Sequence, residues 1–150
     1  MPVPKEMSLP VYLRHHNIRY AENIEYTVSA QVDLICFQAY HLAEMQSRPL
    51  HAVHLLKAIL HIPGSPAEQI LLQQGLTLEK IHATSLDHND PPIQSDRLFG
   101  AVIKYASKSP IIGVEHLLLA LLEEDVLQPY FAAWQIEVDA FTKSVTAQAG

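Results

Sequence analysis

The stretch of sequence that decides the fold runs from Ile111 to Leu122 and reads IIGVEHLLLALL. Residues 117–122 are apolar at every position, which predicts a short buried helix from Val114 to Leu122. A similar stretch occurs earlier, because residues 54–60 read HLLKAIL and residues 116–122 read HLLLALL. The two copies lie 62 positions apart, from His54 to His116. The chain therefore contains an internal repeat.

Working outward from these copies, the apolar spacing predicts helices on both sides of each. A helical pattern begins at Thr27 and should stop at Arg48-Pro49, because the residue before a proline avoids the helical region. Further helices are predicted at about 52–60, 66–75, 77–85, 95–107, 114–122, 128–134 and 138–146. Ser65 and Ser95 are predicted to cap two of them. The sequence thus predicts an all-α fold of two four-helix repeats that share a core.

The predicted domain boundaries follow from the same pattern. The first repeat covers about residues 26–86, a polar and proline-ended linker covers 87–94, and the second repeat covers about 95–147. Residues 1–25 have three prolines and no helical period, so we interpret them as an extended N-terminal arm. A short strand is predicted there, where Leu9, Val11 and Leu13 alternate with other residues.

Composition restricts the class of protein. The 150 residues carry a net charge of −6, which argues against binding nucleic acid, since that requires a basic surface. Apolar residues make up 49% of the chain, which excludes a disordered protein, and no apolar run approaches a membrane span. No secretory signal is evident, and Cys36, the single cysteine, is predicted to be a buried thiol. These features favour a cytoplasmic protein.

Residues 111–122 resemble the signature IGTEHLLLALL of the Clp N-terminal domain, or Clp repeat domain, which precedes the ATPase rings of Clp-type unfoldases. Residues 26–30, YTVSA, resemble the aromatic-Thr-x-x-Ala sequence that opens the first repeat of that domain. The similarity covers about residues 26–147. It is weaker in the first repeat, where LHAVH at 50–54 replaces Ile-Gly-Thr-Glu-His. The resemblance implies a pseudo-twofold helical domain, either free-standing or part of a longer unfoldase.

The resemblance also implies a ligand. Clp N-domains of Gram-positive bacteria bind phosphorylated arginine through the Glu of each Glu-His pair and the Thr that starts each repeat. A carboxylate pairs with the guanidinium, while a hydroxyl and helix-start amides hold the phosphate. In the second repeat of this chain, the matching residues are Glu115 and Ser95, with Asp96-Arg97 after Ser95. Ser95, Arg97 and Glu115 are therefore the predicted ligand-binding residues.

The first repeat offers a degenerate version of that site. It keeps Thr27 but has Val53 where the Glu belongs, and valine cannot pair with a guanidinium. The second site has a competing structural interpretation, because a glutamate at position 115 also offsets the dipole of a helix that begins there. Asp96 would repel a phosphate bound beside Ser95.

The function predicted from the resemblance is that of a non-catalytic protein-interaction module of the Clp chaperone–protease system. Its partners would be Clp unfoldase or peptidase subunits, adaptors or substrate proteins. No glycine opens a GxxxxGK[ST] phosphate loop, so no ATPase and no cofactor are expected. The alternatives are a small-molecule or metal-binding helical domain, or a decoy that sequesters ligands of the unfoldase.

The histidines prompt the metal alternative. His51 and His54 lie three positions apart on one predicted helix, and His15 and His16 are adjacent. A structural zinc site, however, normally has four converging ligands built on cysteine pairs, and this chain has one cysteine and no HExxH motif. We therefore expect no metal site.

Overall fold

The structure of the chain is a computed structural model that describes residues 19–20, 24–25, 27–62, 64–106 and 111–149. The described chain is mostly helical, which confirms the all-α class. Its helices are α1 (Ala30–Met45), α2 (Ala52–His61), α3 (Pro66–Gln73), α4 (Leu78–His82), α5 (Ser95–Ala106), α6 (Val114–Leu122), α7 (Gln128–Ala133) and α8 (Val138–Ala149). A 3₁₀ turn, Asp125–Leu127, precedes α7.

Four strands of two residues each complete the described structure. They are β1 (Arg19–Tyr20), β2 (Ile24–Glu25), β3 (Thr27–Val28) and β4 (Ile111–Ile112). Strands β1 and β2 pair antiparallel, and β3 and β4 pair in parallel. The strand predicted around Leu9 to Leu13 lies outside the described residues, as does most of the predicted arm.

One helix start and one helix cap differ from the prediction. The first helix does not begin at Thr27, because β3 pairs with β4 there and Ser29 becomes the N-cap, its Oγ accepting from Val32 N at 3.2 Å. Ser95 is the first residue of α5 rather than its cap. The carbonyl of Gln94 accepts from Leu98 N at 3.0 Å, and this first intrahelical bond marks Gln94 as the cap position.

Helix α3 begins and ends as predicted. Ser65 Oγ accepts from Glu68 N at 3.1 Å, and Pro66 occupies the first helical position. Gly75 ends the helix with φ +86°, a left-handed conformation that glycine adopts without steric cost. Leu76 N then donates to Leu71 O at 3.0 Å, which satisfies a carbonyl of the last turn.

Helix α7 ends in the same way but without a glycine. Gln135 takes φ +60°, and Ile136 N donates to Phe131 O at 2.9 Å. A residue with a Cβ is strained in this region of conformational space. The buried side chain of Ile136, 7% exposed, anchors the chain after this turn.

The two halves of the chain exchange backbone hydrogen bonds at the starts of their helices. Ser29 N, before α1, donates to Ile112 O, before α6, at 3.0 Å. Ile93 N, before α5, donates to Leu50 O, before α2, at 2.9 Å. Each half therefore begins against the segment that leads into the second helix of the other half.

A continuous hydrophobic core lies between the helices. Helix α1 packs on α2 and α5 on α6, while α3 contacts both α6 and α8. Five leucines of the two repeated stretches are at most 1% exposed: Leu55, Leu56, Leu117, Leu118 and Leu121. Cys36 is fully buried, as predicted. No helix in the described part of the chain is both long and apolar enough to cross a bilayer.

Candidate functional site

The most connected polar cluster of the described structure is centred on His51, which is 1% exposed just before α2. Val53 N donates to its Nδ1 at 3.0 Å, so this nitrogen carries the lone pair. The proton must then lie on Nε2, which is 2.8 Å from Asp90 Oδ2 and donates to it. Both ring nitrogens of His51 are therefore committed to fixed hydrogen bonds.

Asp90 joins this histidine to the second half of the chain. Tyr130, on α7, donates its hydroxyl proton to Asp90 Oδ2 at 2.5 Å and accepts from Asp87 N at 3.0 Å. The ring of Tyr130 meets that of His51 edge-on, at 5.6 Å between centroids. Burial raises the pKa of Asp90, but the hydrogen bonds from Tyr130 and His51 outweigh it and hold this pKa below its usual value.

The linker and the segment just before it are each fixed by one further hydrogen bond. Trp134 Nε1 donates to Thr84 Oγ1 at 2.8 Å, and Arg48 Nη2 donates to Asp87 O at 3.2 Å. We name the set His51, Asp87, Asp90 and Tyr130 the linker clasp. The linker predicted as a polar connection is thus held against both halves of the molecule.

Two further histidines cap helices in matching positions. His54 Nδ1 accepts from His51 N at 2.9 Å, and His116 Nδ1 accepts from Gly113 N at 3.0 Å. His54 donates through Nε2 to Gln46 Oε1 at 2.8 Å. Burial lowers the pKa of His54 to about 4, and it also lowers that of His116. These histidines are neutral structural groups near pH 7.

The linker clasp has the residue types of a catalytic dyad but not its accessibility. His51 has no remaining nitrogen with which to accept a proton from a substrate, because Val53 N already donates to Nδ1. Its role is structural: His51 holds the linker in place through its hydrogen bond to Asp90. Sequence reasoning missed this cluster because His51 and Asp90 are far apart in the chain and no periodic pattern connects them.

Glu115, the predicted partner of a guanidinium, lies in the first turn of α6 and is partly exposed. Its carboxylate folds back over Gly113, where an added Cβ would collide with it. Strand β4, which leads into α6, pairs with β3 and places Ile111 opposite Thr27. The structure therefore brings the backbone of Thr27, from the first half, close to the helix that carries Glu115.

Arg97 lies elsewhere, in an acidic setting. Its Nη2 is 3.8 Å from Asp125 Oδ2, and both side chains are well exposed, so this pair contributes little to stability. Arg97 lines a cleft of about 220 Å³ together with Asp125 and Glu124. Burial raises the pKa of Glu124. The side chains of Thr27, Ser95 and Asp96 are outside what the structure describes, so the predicted contacts of Ser95 with a phosphate stay a prediction.

The described residues hold no group of three or more His, Cys, Asp or Glu side chains placed to bind a metal ion. His51 and His54, which prompted the metal alternative, use their nitrogens in the hydrogen bonds given above. His15 and His16 lie outside the described residues.

No protein-family model matches this sequence, and no curated protein matches it significantly.

Proposed function

We propose that this chain is a Clp-N-type interaction module of the cytosolic Clp chaperone–protease system, with no catalytic activity of its own. Its fold in this proposal is a pair of four-helix repeats, α1–α4 and α5–α8, related by a pseudo-twofold axis. Its partners are Clp unfoldase or peptidase subunits, their adaptors or their substrates.

The observation that carries the proposal is the exchange of backbone hydrogen bonds between the two halves. The bond from Ser29 N to Ile112 O in one direction has a counterpart from Ile93 N to Leu50 O in the other. Leu50 and Ile112 are separated by the same 62 positions as the repeated sequences. Reciprocal contacts of this kind are what a pseudo-twofold pair of repeats produces.

Two local features support the same proposal. The histidine cap of α2 by His54 matches that of α6 by His116. The left-handed residue after α3, Gly75, matches the one after α7, Gln135. The second match does not follow from sequence identity, since glycine and glutamine differ. The two halves therefore have the same helix cap and the same left-handed backbone conformation at corresponding points.

For the ligand site, we propose a different hydroxyl group from the one that the sequence predicted. Thr27 pairs with Ile111, in the strand that leads to the helix of Glu115. Ile93, two residues before Ser95, instead donates its backbone N–H to Leu50 O. We therefore favour Thr27 over Ser95 as the hydroxyl that acts with Glu115. Asp125 and Glu124 would compete with a phosphate for the guanidinium of Arg97, because they line the same cleft.

A degradation assay tests the proposed function. The purified chain is added to a Clp unfoldase and peptidase from the same cell, with a fluorescent substrate protein. An adaptor should raise the degradation rate, and a decoy should lower it by competing for ligands. Serum albumin at the same concentration is the control. A rate that does not change over a wide range of chain concentration would contradict the proposal.

A further inference from the structure

A small cleft between α2 and α4 combines an apolar floor with hydrogen-bond donors. Its volume is about 170 Å³, room for roughly six groups the size of a water molecule. Val53, Ile81 and Leu86 supply the apolar side chains. The other lining residues are Gln46, His54, Lys57 and His82, and no carboxylate of the described residues lines the cleft.

Three polar groups of this cleft, on His54, Gln46 and Lys57, are donors for a geometric reason. His54 Nδ1 accepts from His51 N, so His54 Nε2 bears the proton and donates to Gln46 Oε1. The amide oxygen of Gln46 is thereby occupied, and its NH₂ group is the part left to serve a ligand. Lys57 adds an ammonium group, which can only donate.

Lys57 forms no ion pair with another described residue. The ion pairs found there are His51–Asp90, Arg97–Asp125 and Lys104–Glu123. Lys57 is half-buried, and its charge acts together with burial to lower the pKa of His61, the next histidine along α2. In a chain with a net charge of −6, this is a local positive site.

We propose that the cleft binds a carboxylate carried on a short aliphatic stem. The carboxylate would accept from Lys57 and the Gln46 amide, and the stem would cover Val53 and Ile81. A carboxylate suits the cleft because it accepts hydrogen bonds and offers no competing donor. The natural source is either the C-terminus of a polypeptide that ends in an aliphatic residue or a free aliphatic acid. This site does not depend on the proposed Clp function.

The test is a titration of the ¹⁵N-labelled chain with N-acetylleucine, followed by backbone amide chemical shifts. Saturable shifts are expected at Val53, Lys57 and His82. N-acetylleucine amide, which lacks the carboxylate, should cause none of them. Equal binding of the amide, tighter binding of inorganic phosphate, or no shifts in the wild-type chain would each overturn the proposal.

Two variants locate the binding. Lys57→Gln should weaken it by about tenfold or more, as expected for loss of a hydrogen bond between charged groups. Lys80→Gln is the matched control, because Lys80 is an exposed lysine of α4 that does not line the cleft. Equal effects of the two would overturn the assignment. A Gly-Gly-Leu peptide that binds more tightly than N-acetylleucine supports a polypeptide C-terminus, and one that binds less tightly supports a free acid.

Discussion

His51 and Asp90, 39 positions apart in the chain, are joined by a hydrogen bond of 2.8 Å between His51 Nε2 and Asp90 Oδ2. The bond connects the start of α2 to the linker, and the Tyr130 hydroxyl, on α7, donates to the same carboxylate oxygen. A single carboxylate thus holds three segments of the chain. Since its partners are buried, losing it leaves donors that water cannot easily reach.

Asp90→Asn is therefore expected to destabilise the fold by about 1–3 kcal/mol, because the amide cannot reproduce the charge-assisted bonds to both His51 and Tyr130. Urea denaturation followed by circular dichroism measures the change. Asp125→Asn is the matched control, since Asp125 is 93% exposed and should matter by less than about 0.5 kcal/mol. If both variants lose the same free energy of unfolding, the linker clasp does not stabilise the molecule.

Acid should destabilise the protein between pH 6.5 and pH 4. The unfolded chain protonates His54 near pH 6.5, whereas the folded chain keeps it neutral down to about pH 4. Within this window the unfolded state binds more protons, so the free energy of unfolding falls as the pH falls. The pKa values of His51 and His116 are lowered as well, mainly by burial, and act in the same direction.

The loss from His54 alone is about 3 kcal/mol at the acid end of that window. Urea denaturation at pH 7.5, 5.5 and 4.5 measures it, and His54→Gln should flatten the dependence. His88→Gln, a substitution of an exposed linker histidine, is the control. A chain equally stable at pH 7.5 and 4.5 would refute the neutral assignment of these histidines.

Gln135→Gly should stabilise the chain by roughly 0.5–1 kcal/mol. The residue has φ +60°, where glycine is free of the strain that a Cβ imposes, although glycine also makes the unfolded chain more flexible. Gln74→Gly is the opposite control, because Gln74 has φ −80° at the end of α3 and gains nothing from glycine. Thermal denaturation should move the two variants in opposite directions, and a lower melting temperature for Gln135→Gly would contradict the assigned conformation.

Phosphoarginine, if it binds, should bind once and through Glu115. Calorimetric titration is expected to give one site that Glu115→Ala abolishes, and Thr27→Ala should weaken it more than Ser95→Ala. Val53→Glu is designed to place a carboxylate at the matching position of the first half. Two equivalent sites in the wild-type chain, or binding that ignores Glu115, would contradict this assignment, and an absence of binding would leave a purely protein–protein role.

Local patterns predicted much of the fold. The spacing of leucines located α2 and α6, and the Ser65-Pro66 start and Gly75 end located α3, because these signals act within one turn of helix. The predicted start of the first helix, at Thr27, was wrong by three residues, because α1 begins at Ala30. At that point Thr27 pairs with Ile111, which is distant in the sequence. No local pattern predicts a two-residue strand with so distant a partner.

The polar clusters were harder to predict, because their members are also far apart in the chain. Asp90 and Tyr130 are 40 positions apart, and the sequence around Asp90 has the composition of an ordinary linker. The cleft beside Lys57 likewise requires α2 and α4 to be placed side by side. From the sequence, Val53 was only the residue that stands where the Clp resemblance has a glutamate. The sequence could not show that Val53 lines a cleft beside Lys57.

The central claim, membership of the Clp system, is tested most directly by affinity capture from a lysate of the native cell. The chain is immobilised through a C-terminal tag, and the bound proteins are identified by quantitative mass spectrometry against beads that carry no chain. If the chain belongs to the Clp system, Clp unfoldase or Clp peptidase subunits should be enriched, alone or with an adaptor. A capture in which no Clp subunit is enriched, from a lysate where those subunits are abundant, would contradict it.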